Sequence, residues 1–98
     1  MVKHVILWKL KEGIADIETV KQEIKAGLEG LLGRVPGLLA LTVQIERLPS
    51  STADLMLDST FESPEALRAY AVHPAHVAVA DGKVRPFTAQ RSCLDFEL

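Results

Sequence analysis

The chain divides into stretches where apolar residues recur every second position and stretches where they recur every third or fourth. Over Val2 to Leu10, the residues Val2, His4, Ile6, Trp8 and Leu10 share one strand face, while Val5 and Leu7 lie between Lys3 and Lys9 on the other. Both faces are apolar in the middle, so this strand asks for cover on both sides. After Glu12-Gly13, Ile14, Ile17, Val20, Ile24, Leu28, Leu31 and Leu32 follow helical spacing with charged residues between them. Asp16 and Glu18 suit the positive end of that helix, Gly33 is a stop signal, and Pro36-Gly37 is a turn.

Alternation then returns. Leu39, Leu41, Val43 and Ile45 form the apolar side of a second strand, and Leu55, Leu57, Ser59 and Phe61 one side of a third, with a polar loop between. Ser63 as N-cap, Pro64 at the first helical position and Glu65 in the first turn open a second helix. Because proline pushes its predecessor out of the α region, His73 ends this helix and caps a further piece starting at Pro74, which Asp81-Gly82 should stop. A fourth strand sets Ser92, Leu94, Phe96 and Leu98 against Arg91, Cys93, Asp95 and Glu97. The order β-α-β-β-α-β with right-handed crossovers predicts an α+β, ferredoxin-like plait: a four-stranded antiparallel sheet with both helices on one face. The other sheet face is left bare, with Ala40, Thr42, Met56 and Thr60 on it, so two copies are expected to pack sheet against sheet as a homodimer.

Length and charge narrow the function. The 98 residues suit one domain, and 48% hydrophobic with 24% charged residues is a globular balance. A net charge of -2, with Lys and Arg scattered, gives no basic stripe, so nucleic acid is not an expected partner. The apolar run at the N-terminus is too short to span a bilayer and has no small-residue cleavage site, so no membrane partner is expected either. One cysteine, Cys93, supplies neither a disulfide framework nor a thiolate cluster, which fits a reducing cytoplasm.

The candidate chemistry lies in "AYAVHPAHVAVADGKVRPF" and at the two chain ends. First and fourth strands pair antiparallel in this topology, bringing Asp95 beside His4, where a carboxylate fixes the imidazole tautomer. Tyr70 follows Leu67 by three residues, on the sheet-facing side of its helix; a core tyrosine with its hydroxyl at the rim is the plain alternative. His76 falls in the first turn after Pro74, where the helix dipole keeps an imidazole neutral and available as a base; its plain alternative is a histidine that pins the kink. His73 reads as a cap. His73-x-x-His76 is a weak metal pair, since the proline puts His73 outside the helix, and no metal or other cofactor is expected. Ser92 and Cys93 lack a nucleophile elbow, and the glycines lack P-loop spacing.

"MVKHVILWKLKE", "STFESPEALRAYAVHPAHVAVAD" and "CLDFEL" together resemble the stress-responsive A/B barrel domain (Dabb) family of dimeric α+β barrels, over residues 1–98 as a single domain. The resemblance implies a homodimer whose sheets form a barrel. Its plant polyketide cyclase branch, which makes olivetolic acid, implies a pocket between sheet and helices with a tyrosine and histidine pair, here Tyr70 and His76. On that basis His76 would abstract an acidic carbon-bound proton and Tyr70 would hold the enolate oxygen. His4, Asp95, Trp8, Leu57 and Ser59 would line the pocket against substrate. Leu55 stands where the cyclase carries another histidine, so the same reaction is not implied. Two functions follow: a cofactor-free proton transfer, cyclisation or isomerisation on a small apolar carbonyl compound, or a non-catalytic stress-associated binding or structural dimer.

Overall fold

The computed structural model describes residues 1–98. Strand β1 (Val2–Leu10) leads to helix α1 (Ile17–Glu29), strands β2 (Leu38–Gln44) and β3 (Leu55–Phe61), helices α2 (Pro64–Val72) and α3 (Pro74–Val79), and strand β4 (Thr88–Glu97). The sheet is four-stranded in the order β2-β3-β1-β4, with every neighbouring pair antiparallel, which is the ferredoxin-like plait.

Capping chemistry decides where the helices begin and end. Asp16 accepts from the Thr19 backbone amide and starts α1 at Ile17, three residues later than the apolar spacing from Ile14 suggests. The helix closes at Gly30, so Leu31 and Leu32 lie in the following turn and Gly33 takes its left-handed φ of 86° there. Leu31 still plugs the core, while Leu32 is exposed. Ser63 caps α2 through the Ala66 amide, and His73 does two jobs at the kink: it ends α2 in extended conformation and its Nδ1 accepts from the Ala75 amide to cap α3. Asp81-Gly82 does not stop the chain's winding as expected. It continues through a wide π-turn over Ala80–Val84 and a 3₁₀ turn over Arg85–Phe87, because Ala80 and Val84 are both buried and hold the turn onto the domain.

The core lies between α1, α2 and one sheet face: Ile6, Trp8 and Leu10 of β1, Leu41 and Val43 of β2, and Leu55, Leu57 and Phe61 of β3, packed under Ile24, Leu28 and Tyr70. Leu39, expected in this stripe, is exposed instead, because the β2 register shifts between Leu38 and Ala40 and Leu38 takes the inward position. Gly37 stands at this entry with φ 82°, and a Cβ there would lie 2.5 Å from the Ala66 Cβ, so β2 starts hard against α2 only because the residue is glycine. The outer edge of β2 is tied to α1: Lys25 Nζ donates to the Val43 carbonyl at 2.7 Å, and Glu29 accepts from the Val43 amide at 2.9 Å. Burial works against the Glu29 charge, but Lys25 Nζ, which also donates to the Glu29 carboxylate at 2.8 Å, and the Val43 amide hold that carboxyl below its ordinary pKa. The outward amide and carbonyl of Val43 are thereby occupied and cannot template another chain.

Gly27 lets α3 approach α1, with the Val79 side chain 3.0 Å from where its Cβ would be. The second helical layer is drawn over α1 and away from β4. On β4, Arg91, Cys93, Asp95 and Glu97 point to the helix side yet remain exposed, so a cleft opens between β4 and α2. The opposite sheet face carries Val5, Leu7, Met56, Leu94 and Phe96, of which Leu7, Leu94 and Phe96 are at least 44% exposed.

Candidate functional site

The cleft measures about 590 Å³, large enough for a small organic molecule, and most of its lining surface is apolar. Its floor comes from β1 and β4. The register sets His4 directly opposite Asp95, and Nδ1 of the imidazole meets Oδ1 of the carboxylate at 2.5 Å. The His4 ring is 8% exposed and is boxed by the edges of Phe61 and Tyr70, with centroids 6.2 and 6.3 Å away. With Nδ1–H given to Asp95, the lone pair sits on Nε2. Cys93 joins the same group: its Sγ lies 3.6 Å from His4 Nδ1 and 3.4 Å from Asp95 Oδ1.

The roof comes from the α2–α3 kink. Tyr70 is 3% exposed, tilted against Phe61 at 4.9 Å and against His76 at 4.2 Å between ring centroids. Its hydroxyl bonds to no group of the chain, and no buried polar side-chain atom lacks a partner, so the hydroxyl opens into the cleft. Burial pushes the phenol up to about 12, with the charge of Arg91 acting in the opposite direction. Tyr70 therefore remains a hydrogen-bond donor throughout the neutral range.

His76 Nδ1 donates to the Ala71 carbonyl at 3.3 Å, which leaves Nε2 as an acceptor. Burial lowers its pKa; the Ala71 carbonyl opposes that, and the positive charges of Arg85, His4 and Arg91 add to the lowering. The lowering favours the neutral imidazole, and its largest cause is burial at the kink, not a helix dipole. Arg91 lines the cleft and makes no ion pair, whereas Arg68 is paired with Glu65 and Arg85 with Asp81. An unpaired guanidinium beside a phenol donor forms a place for negative charge.

The structure thus brings His4, Asp95, Tyr70 and His76 into one cleft. It does not bring in three residues expected there. Ser59 is fully buried and its hydroxyl donates to the His4 backbone carbonyl at 2.8 Å, so it anchors His4 instead of meeting a ligand. Leu57 is 1% exposed inside the core, and Trp8 is buried farther along β1, opposite Arg91. Side-chain alternation put them on the correct sheet face; the missing knowledge was that the helices cover that face over β3 and leave it open only over β4. Arg91, to which the sequence assigns no role, and Cys93, set aside there only as a nucleophile, both line the cleft; the signal is that both share the face of Asp95 at steps of two. His73 faces its own cap and takes no part in the cleft.

The four-stranded antiparallel sheet in the order β2-β3-β1-β4 with its helices on one face defines the class: a small ferredoxin-like α+β domain. The family model for the stress responsive A/B barrel domain, Dabb, matches residues 2–98, and the chain belongs to that family. It is 37% identical over 83 residues to the Arabidopsis thaliana stress-response A/B barrel domain-containing protein HS1, covering 81% of this chain and 73% of the relative. A dimeric protein of unknown function and ferredoxin-like fold from Bacteroides fragilis superposes with a TM-score of 0.91 at 27% identity, over 99% of this chain and 95% of that one. The hydroxynitrile lyase of Passiflora edulis shares the fold at a TM-score of 0.81 and 16% identity, over 97% of this chain and 90% of that one. No helix is long and apolar enough to cross a membrane.

Proposed function

We propose that the cleft binds a small, mostly apolar carbonyl compound and moves a proton on it without a cofactor. The observation that carries this reading is an imidazole stacked against a phenol donor in the roof of a mostly apolar cleft, with an unpaired guanidinium lining the same cleft. His76 takes a proton from the carbon next to the carbonyl through Nε2; the electron pair moves onto the carbonyl oxygen, which becomes an enolate oxygen. Tyr70 donates to that oxygen, and Arg91 offsets its charge. His76 then returns the proton to another carbon of the same enolate, which is an isomerisation, or the enolate carbon attacks a second carbonyl carbon of the molecule, whose C=O π pair moves onto its oxygen and takes the proton from His76, which is a ring closure. Asp95 and His4 form the opposite wall and hold its polarity fixed.

The same reading includes a second copy of the chain. The sheet face away from the helices exposes Leu7, Leu94 and Phe96, and the Bacteroides fragilis neighbour is dimeric, so we infer a homodimer through that face.

The test is deuterium exchange at the carbon beside the carbonyl in a panel of β-dicarbonyl compounds, using chelator-treated protein. Catalysed exchange that falls at least about a hundredfold in His76→Ala, with fold intact, supports the reading. Binding without exchange would instead support the non-catalytic ligand-binding dimer.

A further inference from the structure

His4, Cys93 and Asp95 present an imidazole nitrogen, a thiol sulfur and a carboxylate oxygen within 4.8 Å of one another at the floor of the cleft. We propose that these three residues form a binding site for a zinc-class divalent cation, with its fourth coordination position facing the cleft. This goes beyond the proton-transfer reading and does not rest on it, because that reading concerns the metal-free cleft.

The geometry is the argument. Around a tetrahedral ion with bonds of about 2.0–2.3 Å, neighbouring ligand atoms lie roughly 3.3–3.7 Å apart. Sγ to Nδ1 at 3.6 Å and Sγ to Oδ1 at 3.4 Å already have that spacing. Only Nδ1 to Oδ1, at 2.5 Å, is too short, because a proton now bridges the two. Opening that edge requires movement of Asp95, whose side chain is 45% exposed, and none of His4, whose ring is 8% exposed. The fixed ligand is thus the buried one and the adjustable ligand the exposed one.

The remaining parts of a metal site are also in place. Ser59 ties the His4 backbone through its carbonyl, and Phe61 and Tyr70 fix the ring plane, so the imidazole is oriented before any ion arrives. The cleft supplies the entry path. Imidazole, thiolate and carboxylate together select a borderline ion over calcium or magnesium, which take oxygen ligands alone. Proton balance is simple: Cys93 releases its thiol proton to solvent, and the His4 proton moves from Nδ1 to Nε2, so one proton leaves per ion bound. The residues involved differ entirely from the His73-x-x-His76 spacing.

Cadmium titration of the chelator-treated protein, followed by the ultraviolet thiolate-to-cadmium band, tests the site, with zinc affinity measured by competition against a chromophoric chelator. The expected result is saturation at one ion per chain, loss of the band in Cys93→Ser, and zinc binding weaker by at least about tenfold in both Cys93→Ser and Asp95→Asn. Both positions are exposed, so these variants leave the core untouched. No band at one equivalent, or a band with zinc affinity unchanged in Asp95→Asn, would overturn the proposal, the latter by showing a lone thiol adduct. Because exchange of carbon-bound protons is measured without metal, failure here leaves the proton-transfer reading standing, and the reverse holds as well.

Discussion

The two edge strands of the sheet present the same face to the helices and meet different fates. On β2, Leu38, Leu41 and Val43 are buried, and even the outward backbone groups of Val43 are taken by Lys25 and Glu29 of α1. On β4 the equivalent positions are Arg91, Cys93, Asp95 and Glu97, all exposed. Composition follows cover: the strand under α1 is apolar and closed, and the strand beyond the helices carries the groups that could do chemistry. The kink at His73-Pro74 accompanies the difference: it turns α3 toward Gly27 of α1, so β4 faces a cleft beneath the kink and not a packed helix. A core and a site are here two halves of one sheet face.

The contrast breaks first at the level of stability. Leu57→Ala, in the closed half, should cost about 3 kcal/mol in chemical denaturation, since it empties a position with 1% exposure. Cys93→Ser, in the open half, should stay within about 0.5 kcal/mol. Similar losses at the two positions would mean that β4 is as tightly packed as β3 and that the cleft is no cleft in solution.

Tyr70 sits on the boundary between the halves and sharpens the comparison. It is the only tyrosine of the chain, so its phenolate absorbance can be followed directly. The midpoint should come near the raised value of about 12, above the ordinary 10. In sign, a raised folded value contributes stability that is fully present below pH 10 and is lost as pH climbs through about 12. A midpoint at the ordinary value, read before any alkaline unfolding, would show a solvated ring and take Tyr70 off the buried boundary between core and cleft.

Much of this arrangement was legible in the residues. Element order, the His73-Pro74 break, the Ser63-Pro64 start and the His4–Asp95 pairing all follow from local rules: capping, proline sterics and strand register. What lay outside those rules is where tertiary cover falls. Period-two alternation says that Leu57, Ser59, Trp8, Asp95 and Cys93 share one sheet face, but it does not say which of them a helix will cover. The expected lining residues Trp8, Leu57 and Ser59 ended in the core for that reason, and Arg91 emerged in the cleft. The π-turn at Ala80–Val84 was hidden similarly, since Asp81-Gly82 is a stop signal locally and burial of Ala80 and Val84 overrides it.

The smallest effect belongs to His76, and it separates a cleft with its own electrostatics from a surface groove. Burial, then the charges of Arg85, His4 and Arg91, lower its pKa from the ordinary 6.5, with only the Ala71 carbonyl pulling the other way. A lowered folded value means that the unfolded chain takes up the proton first, so this group's contribution is complete above about pH 6.5 and is lost as pH falls through the folded value. Proton NMR of the three histidines should show the His76 midpoint below that of a free imidazole, and Arg91→Gln should move it upward by removing a like charge. Arg91 makes no ion pair in the chain, so its field on the cleft is not neutralised by a neighbouring carboxylate, and an anionic ligand that pairs with it should move the midpoint in the same direction as the substitution. A midpoint near 6.5 that ignores Arg91→Gln would place the imidazole in bulk solvent, and β4 would then be an exposed edge whose polar face needs no function to explain it.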